Sequence, residues 1–309
     1  MRFVVWCALV AHLAACATTG ARVVGRVQPP PQAERLSVTN PLMNAEMPVV
    51  LYRPEGPGPF PLVVFSHGRA PTPRDRAQLT QPVQLGHVRF WLRRGFAVAA
   101  PIRPGYGVDG AYDWENSGAR WHGASCTGTP DYARVAQTAA QSVHAVLAWA
   151  RTRGDLDASR VLLEGVSVGG LTTVQACADN PPGVVGCINF SGGAGGKPDA
   201  SPGKSCGPEV LTALFAELGK KPQPPSVWLY AQNDQYWGAD APSAWFAAFQ
   251  ASGAPATFTL TPPVSAEGHF LLSRGGQYWG PVLDNFLHVL APALEPGPGA
   301  VEPLHPAPP

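Results

Sequence analysis

Short apolar runs alternate along this chain with longer stretches in which apolar residues recur every three or four positions. Residues 62–65, 96–100, 161–163, 184–190, 227–231 and 257–260 are brief and rich in β-branched or aromatic side chains, as expected of strands buried on both faces. Residues 35–39 and 47–52 read as a leading pair of strands. Helical periodicity marks residues 83–94, 131–153, 168–178, 208–220, 241–251 and 281–290. Within the second of these, Val135, Ala139, Val143, Val146 and Trp149 form a stripe that reads as core. Strands alternating with helices predict an α/β fold: a mostly parallel central sheet, helices on both faces, and functional loops at the carboxyl ends of the strands.

Composition narrows this further. The chain has 309 residues, 45% of them hydrophobic and 14% charged, with a formal net charge of +1. That suffices for one large domain, placed at residues 35–291, and gives no push toward nucleic acid or an anionic surface. Residues 191–196 are a serine–glycine loop expected to be flexible, without the spacing of a dinucleotide or phosphate loop. From residue 106 to 132 runs an irregular stretch holding Trp114, Trp121, His122 and Cys126, which predicts either a lid or a loop packed on the surface.

The two ends read as something other than fold. Residues 1–15 form a targeting segment, with Arg2 before an apolar run too short to span a bilayer. The run closes on Leu13-Ala14-Ala15-Cys16, which resembles a bacterial lipobox, where the cysteine is lipidated; a secretory signal cleaved among residues 17–21 is the alternative. With Ala17 after the cysteine, the resemblance implies an outer-membrane destination, and either version exports the protein to the periplasm or beyond. Residues 16–34 are then a linker, Pro-rich at 28–32, and residues 292–309 a Pro-rich tail expected to be disordered.

Export changes how the cysteines read. With Cys7 discarded and Cys16 at the anchor, Cys126, Cys177, Cys187 and Cys206 remain, an even number in an oxidising compartment. Cys177 and Cys187 flank one helix–strand connection that turns at Asn180-Pro181-Pro182-Gly183, which predicts a compact bridge. Cys126 and Cys206 fall in loops at the same end of the sheet, so their bridge would tie the aromatic stretch to the loop after residue 190. A free buried Cys177 is the alternative. No metal-ligand spacing occurs, and neither metal nor cofactor is expected.

The chemistry centres on Gly165-Val166-Ser167-Val168-Gly169-Gly170, a Gly-x-Ser-x-Gly elbow between a strand and a helix. Small neighbours let strand and helix approach closely, and the helix N-terminus favours a developing negative charge. Asp234 follows the run 227–231 directly and His269 follows 257–260, giving the order Ser, Asp, His with separations of 67 and 35 residues. A serine hydroxyl needs an imidazole to take its proton, and the imidazole needs a carboxylate to fix its tautomer. Asp240 is the second candidate acid, and His288, on the last helix, reads as a surface residue.

Taken together, Ser66-His67-Gly68, the elbow, Ala231-Gln232-Asn233-Asp234 and Gly268-His269 resemble the α/β-hydrolase superfamily, within it the dienelactone-hydrolase-like and prolyl-oligopeptidase-like serine hydrolases. The resemblance covers residues 35–291 and departs from true dienelactone hydrolases, whose nucleophile is cysteine. It implies that the backbone N–H groups of Arg69 and Val168 form an oxyanion hole, and that His67 buttresses it. The expected activity is hydrolysis of a small-molecule carboxylic ester through an acyl-enzyme; a peptidase acting on short peptides and an inactive lipid-anchored binding protein are the alternatives. Tyr106, Trp114, Trp121, Tyr236, Trp237 and Trp279 surround the candidate triad in sequence, and about half of them are expected to pack the core rather than line a pocket.

Overall fold

Alternate side chains of the apolar runs point in opposite directions, so each strand feeds two separate cores. The computed structural model describes residues 29–41 and 44–295. The expected leader, Cys16 and nearly all of the expected tail lie outside the described residues.

The chain opens with an antiparallel pair, β1 (Ala33–Asn40) and β2 (Ala45–Tyr52). Then come β3 (Phe60–Ser66), a short α1 (Pro73–Ala77), α2 (Leu85–Leu92) and β4 (Ala97–Pro101). A small hairpin, β5 (Arg120–His122) and β6 (Ser125–Thr127), stands apart from the main sheet. The repeating part follows as α3 (Tyr132–Ala150), β7 (Leu156–Val166), α4 (Val168–Ala178), β8 (Val184–Phe190) and α5 (Pro208–Gly219). It continues with β9 (Ser226–Ala231), α6 (Asp240–Ala251), β10 (Ala256–Thr261), α7 (Leu271–Arg274) and α8 (Gly276–Leu294).

Eight strands form one sheet in the order β1-β2-β4-β3-β7-β8-β9-β10, parallel from β4 to β10 and antiparallel at the β1–β2–β4 edge. Val63, Phe65, Val98, Leu162 and Ile188 enter a core shared with α2, α7 and α8. Their neighbours Leu62, Val64, Ala97, Ala99, Val161 and Leu163 enter the opposite core, against α3 and α4. This is the α/β-hydrolase architecture the alternation predicts, with β3, β7, β9 and β10 delivering their carboxyl ends to one side.

Two expectations need correction. The last helix starts at Gly276 and runs through Pro281 to Leu294, well beyond 281–290. Trp279, Leu283, Phe286 and Leu290 bury their side chains against the sheet, and that packing outweighs the backbone bond a proline forfeits. The loop 191–196 is pinned rather than flexible: Ser191 N–H donates to Leu229 O at 2.8 Å, and the Tyr230 hydroxyl to Gly192 O at 2.6 Å.

Beneath the elbow lies a polar cluster that periodicity does not reveal. Glu164, fully buried, accepts from His87 Nε2 and Trp91 Nε1, both at 2.8 Å to Oε2, among Phe65, Phe90 and Phe190. Both expected cysteine pairs are bridged, Cys177–Cys187 and Cys126–Cys206, with Cα separations of 6.3 and 5.4 Å.

Candidate active site

Ser167 stands in the one-residue turn between β7 and α4, with φ 59° and ψ −126°. A side chain rarely adopts that conformation, and here the surroundings hold it. Its N–H donates to Phe190 O at 2.9 Å, while its carbonyl accepts from Leu171 and Gly193. The flanking glycines are a matter of space. A Cβ on Gly165 would lie 2.1 Å from Gly169 O, and one on Gly169 would lie 2.0 Å from Ser66 O.

Asp234 leaves β9 with its carboxylate buried; Oδ1 accepts from Tyr236 N–H at 2.7 Å and Trp237 N–H at 3.3 Å. Its Oδ2 accepts from His269 Nδ1 at 2.9 Å. That bond commits Nδ1 and leaves Nε2 as the basic nitrogen of the ring. Tyr236 stacks on the imidazole at 3.9 Å between centroids, and Trp237 meets it edge-on at 4.9 Å. Asp240 is exposed at the start of α6 and His288 is exposed on α8, so neither joins the group.

The loop after β3 lies against the serine: a Cβ on Gly68 would sit 3.4 Å from Ser167 Cβ. Arg69 and Val168 flank Ser167 in the wall of one cavity. Val168 is the first residue of α4, where a helix leaves N–H groups without intrahelical partners. His67 is buried with Nδ1 donating to Gly68 O at 2.7 Å and Nε2 accepting from Arg103 N–H at 3.3 Å. Burial, then the Arg103 charge, push its pKa well below the usual histidine value, so it stays neutral as a prop for the loop.

Sequence reasoning missed what holds that loop. Arg103, buried at the end of β4, donates to His67 O at 2.6 Å and to Glu115 Oε1 at 2.5 Å. Glu115 also accepts from the Tyr106 hydroxyl at 2.6 Å. Burial and the Glu115 charge raise the Tyr106 pKa and keep the phenol protonated. The signal available was positional: Arg103 follows a buried strand at the end of the sheet where the chemistry sits.

The aromatic surround divides. Trp121, Tyr236 and Trp237 line a cavity of about 350 Å³ beside Ser167. Tyr106 and Trp114 do not. The turn at Gly105 (φ 87°) and the Arg103–Glu115 pair fold this segment back on itself, so Tyr106 packs on His67 and Trp114 on Tyr112. Trp279 packs on Phe90, His87 and Phe190 in the core. A second cavity of about 220 Å³ shares Arg69, Ser167 and Tyr236 with the first and is lined further by Gln84, His269, Phe270, Leu272 and Ser273.

The family model of the X-Pro dipeptidyl-peptidases (S15 family) matches residues 44–249, two thirds of the chain. The chain belongs to that family. The matched span of this S15 member contains Ser167 and Asp234 and ends before His269. No curated protein matches it in sequence. Among solved structures it is similar to the Pyrococcus horikoshii acylaminoacyl peptidase, at 11% identity and a TM-score of 0.59, over 84% of this chain and 42% of that one. A puromycin-hydrolyzing peptidase of Mycobacterium tuberculosis matches at 15% identity and a TM-score of 0.58, over 89% and 41%. A Klebsiella pneumoniae protein assigned as a dienelactone hydrolase matches at 18% and 0.54, over 84% and 99%. The S15 chain thus spans less than half the length of these two peptidases. Family and fold together give this chain the α/β-hydrolase architecture, with Ser167 on its nucleophile elbow.

Proposed function

We propose that this S15 chain is an exported serine hydrolase of carboxylic esters working through Ser167, His269 and Asp234. The observation that supports the reading is that Ser167 lines two adjoining cavities of modest size, which also share Arg69 and Tyr236. The 350 Å³ cavity, next to Arg69 and Val168, suits a small or medium acyl group. The 220 Å³ cavity is the one lined by His269, so the leaving group departs past the residue that must protonate it.

In this reading His269 Nε2 takes the Ser167 proton as Oγ attacks the ester carbonyl, and Asp234 stabilises the imidazolium. The N–H groups of Arg69 and Val168 meet the oxyanion. Collapse expels the alcohol, which receives its proton from His269. Water then repeats the cycle on the acyl-enzyme. The anchor belongs to the same proposal: a multiply acylated Cys16 would hold the enzyme to the outer membrane, at about 0.8 kcal/mol per buried CH₂.

One observation favours a peptidase instead. Besides the S15 match, Asp199 in the lining of the larger cavity would meet the α-ammonium of a short peptide. Matched p-nitrophenyl esters and aminoacyl anilides decide between them. The ester reading expects kcat/KM at least ~100-fold higher on short-chain esters, about 2.7 kcal/mol of transition-state stabilisation. Equal efficiency on anilides would promote the peptidase. Ser167→Ala should end turnover and labelling by an alkyl fluorophosphonate, and Asp234→Asn should cost on the order of 10⁴. A loss with Asp240→Asn but not Asp234→Asn would move the acid.

A further inference from the structure

We infer that Glu267 is a positioning residue, whose carboxylate sets the distance between the loop carrying Asp234 and the loop carrying His269. The inference rests on the roles proposed above for those two residues.

The two loops leave adjacent parallel strands, β9 and β10, and nothing in a parallel ladder fixes how they approach one another beyond the sheet. Glu267 Oε1 accepts from His269 N–H at 2.9 Å, capping the turn that carries the imidazole. The same oxygen accepts from Gln235 N–H, also at 2.9 Å, on the residue after Asp234. One atom therefore holds both loops. The neighbouring N–H groups of Tyr236 and Trp237 go to Asp234 Oδ1, so three successive amides of the acid loop are anchored on two carboxylates.

A second lacing supports the first. Asn233 Oδ1 accepts from Val264 N–H at 2.9 Å, its Nδ2 donates to Ser265 O at 3.1 Å, and its carbonyl accepts from Gly268 N–H at 3.2 Å. The loops are pressed so closely that a Cβ on Gly268 would lie 2.7 Å from Asp234 N. Asn233 ties the acid loop to Val264, Ser265 and Gly268, whereas Glu267 reaches the amide of His269 itself. Its charge also reaches Tyr236, which stacks on His269: after burial it is the largest cause holding the Tyr236 phenol above its usual pKa. Removing the shared oxygen takes away the hold on the His269 amide and leaves the Gly268–Asn233 backbone bond as the nearest link, and a misplacement of about 1 Å at such a site costs on the order of 10²-fold.

The test compares Glu267→Ala, Glu267→Gln and Glu267→Asp in the full-length protein. Ala removes the acceptor. Gln keeps a carbonyl oxygen at the same reach that can accept from both amides. Asp keeps the charge but is one methylene too short to serve both. The expected result on p-nitrophenyl acetate is a fall in kcat of roughly 10–100-fold for Ala and Asp, with KM within about twofold, and Gln within about threefold of wild type. Labelling rates with an alkyl fluorophosphonate give the same ranking whichever substrate class the enzyme prefers. If Ala fails to fold, Gln and Asp still decide. The inference is overturned if Ala keeps its kcat, if the loss lies in KM alone, if Gln is as impaired as Ala, or if Asp matches wild type. Ser167→Ala is run beside them: residual turnover there would sink the triad itself, whereas a silent Ser167→Ala with a fully active Glu267→Ala sinks only the role of Glu267.

Discussion

Gly169 is where the elbow and the loop after β3 press hardest on each other, and Gly169→Ala measures how much the site depends on that contact. A Cβ built there lies 2.0 Å from Ser66 O and 2.4 Å from His67 O. Carbon and oxygen do not approach within 3.0 Å, so α4 and the loop must part by about 1 Å. The loop cannot yield freely: Ser66 ends β3 in the middle of the sheet, and His67 O is held by Arg103 at 2.6 Å. The displacement therefore falls on Val168 and Ser167, moving one proposed oxyanion donor away from the other. We expect kcat/KM to drop on the order of 10²-fold, about 2.7 kcal/mol of transition-state stabilisation. Overpacking should also cost about 1–3 kcal/mol of stability, several degrees of Tm. Gly86→Ala is the matched control, since Gly86 is likewise the second residue of its helix, α2, but a Cβ there meets nothing within 4 Å. It should leave kinetics unchanged and raise stability by roughly 0.4–1 kcal/mol. Steady-state kinetics and thermal unfolding of both variants suffice. A Gly169→Ala enzyme within threefold of wild type, with an unchanged Tm, would refute the argument that this contact sets the oxyanion geometry.

Two further outcomes follow from the same framework. His67 is buried and neutral, with a folded pKa below its unfolded value near 6.5. The unfolded chain then binds more protons between those two values, so this contribution is full above about pH 6.5 and is lost as pH falls below it. Tm should decline from pH 7 toward 5, with a slope of up to about 1.4 kcal/mol per pH unit from this group, and His67→Gln should flatten that slope; an unchanged slope would remove His67 as its source. The Cys126–Cys206 bridge joins the hairpin carrying Trp121, whose Nε1 donates to Gly195 O at 2.9 Å, to the loop forming the facing cavity wall. Cys126→Ser should therefore broaden acyl-length preference on a p-nitrophenyl ester series while sparing the acetate, and an identical profile would show that the bridge does not shape the pocket.

Strand and helix periodicity, the elbow glycines and the order of Ser167, Asp234 and His269 were legible in the chain because each rests on local rules. A strand buried on both faces must be apolar throughout, and a strained turn packed against its own helix must be flanked by glycine. A residue just past the end of a parallel strand inherits its placement from that strand. Both cysteine pairs were also within reach: Cys177 and Cys187 flank one short helix–strand connection, and loops at one end of a sheet, like those of Cys126 and Cys206, are able to meet. What the tertiary structure alone decided was which way side chains turn once the loops fold. Trp121 faces the cavity because β5 and β6 pair and place it opposite Cys126. Tyr106 and Trp114 turn away because Arg103 reaches Glu115 across twelve residues and folds the segment inward. Trp279 belongs to the core because α8 begins five residues before its expected start and carries it over Phe90. Glu164 and Arg103 likewise gain their roles only from partners distant in the chain, and Glu267 gains its second partner, Gln235, in the same way. A buried charge is tolerable only where hydrogen-bond partners await it, and a local pattern holds no record of those partners.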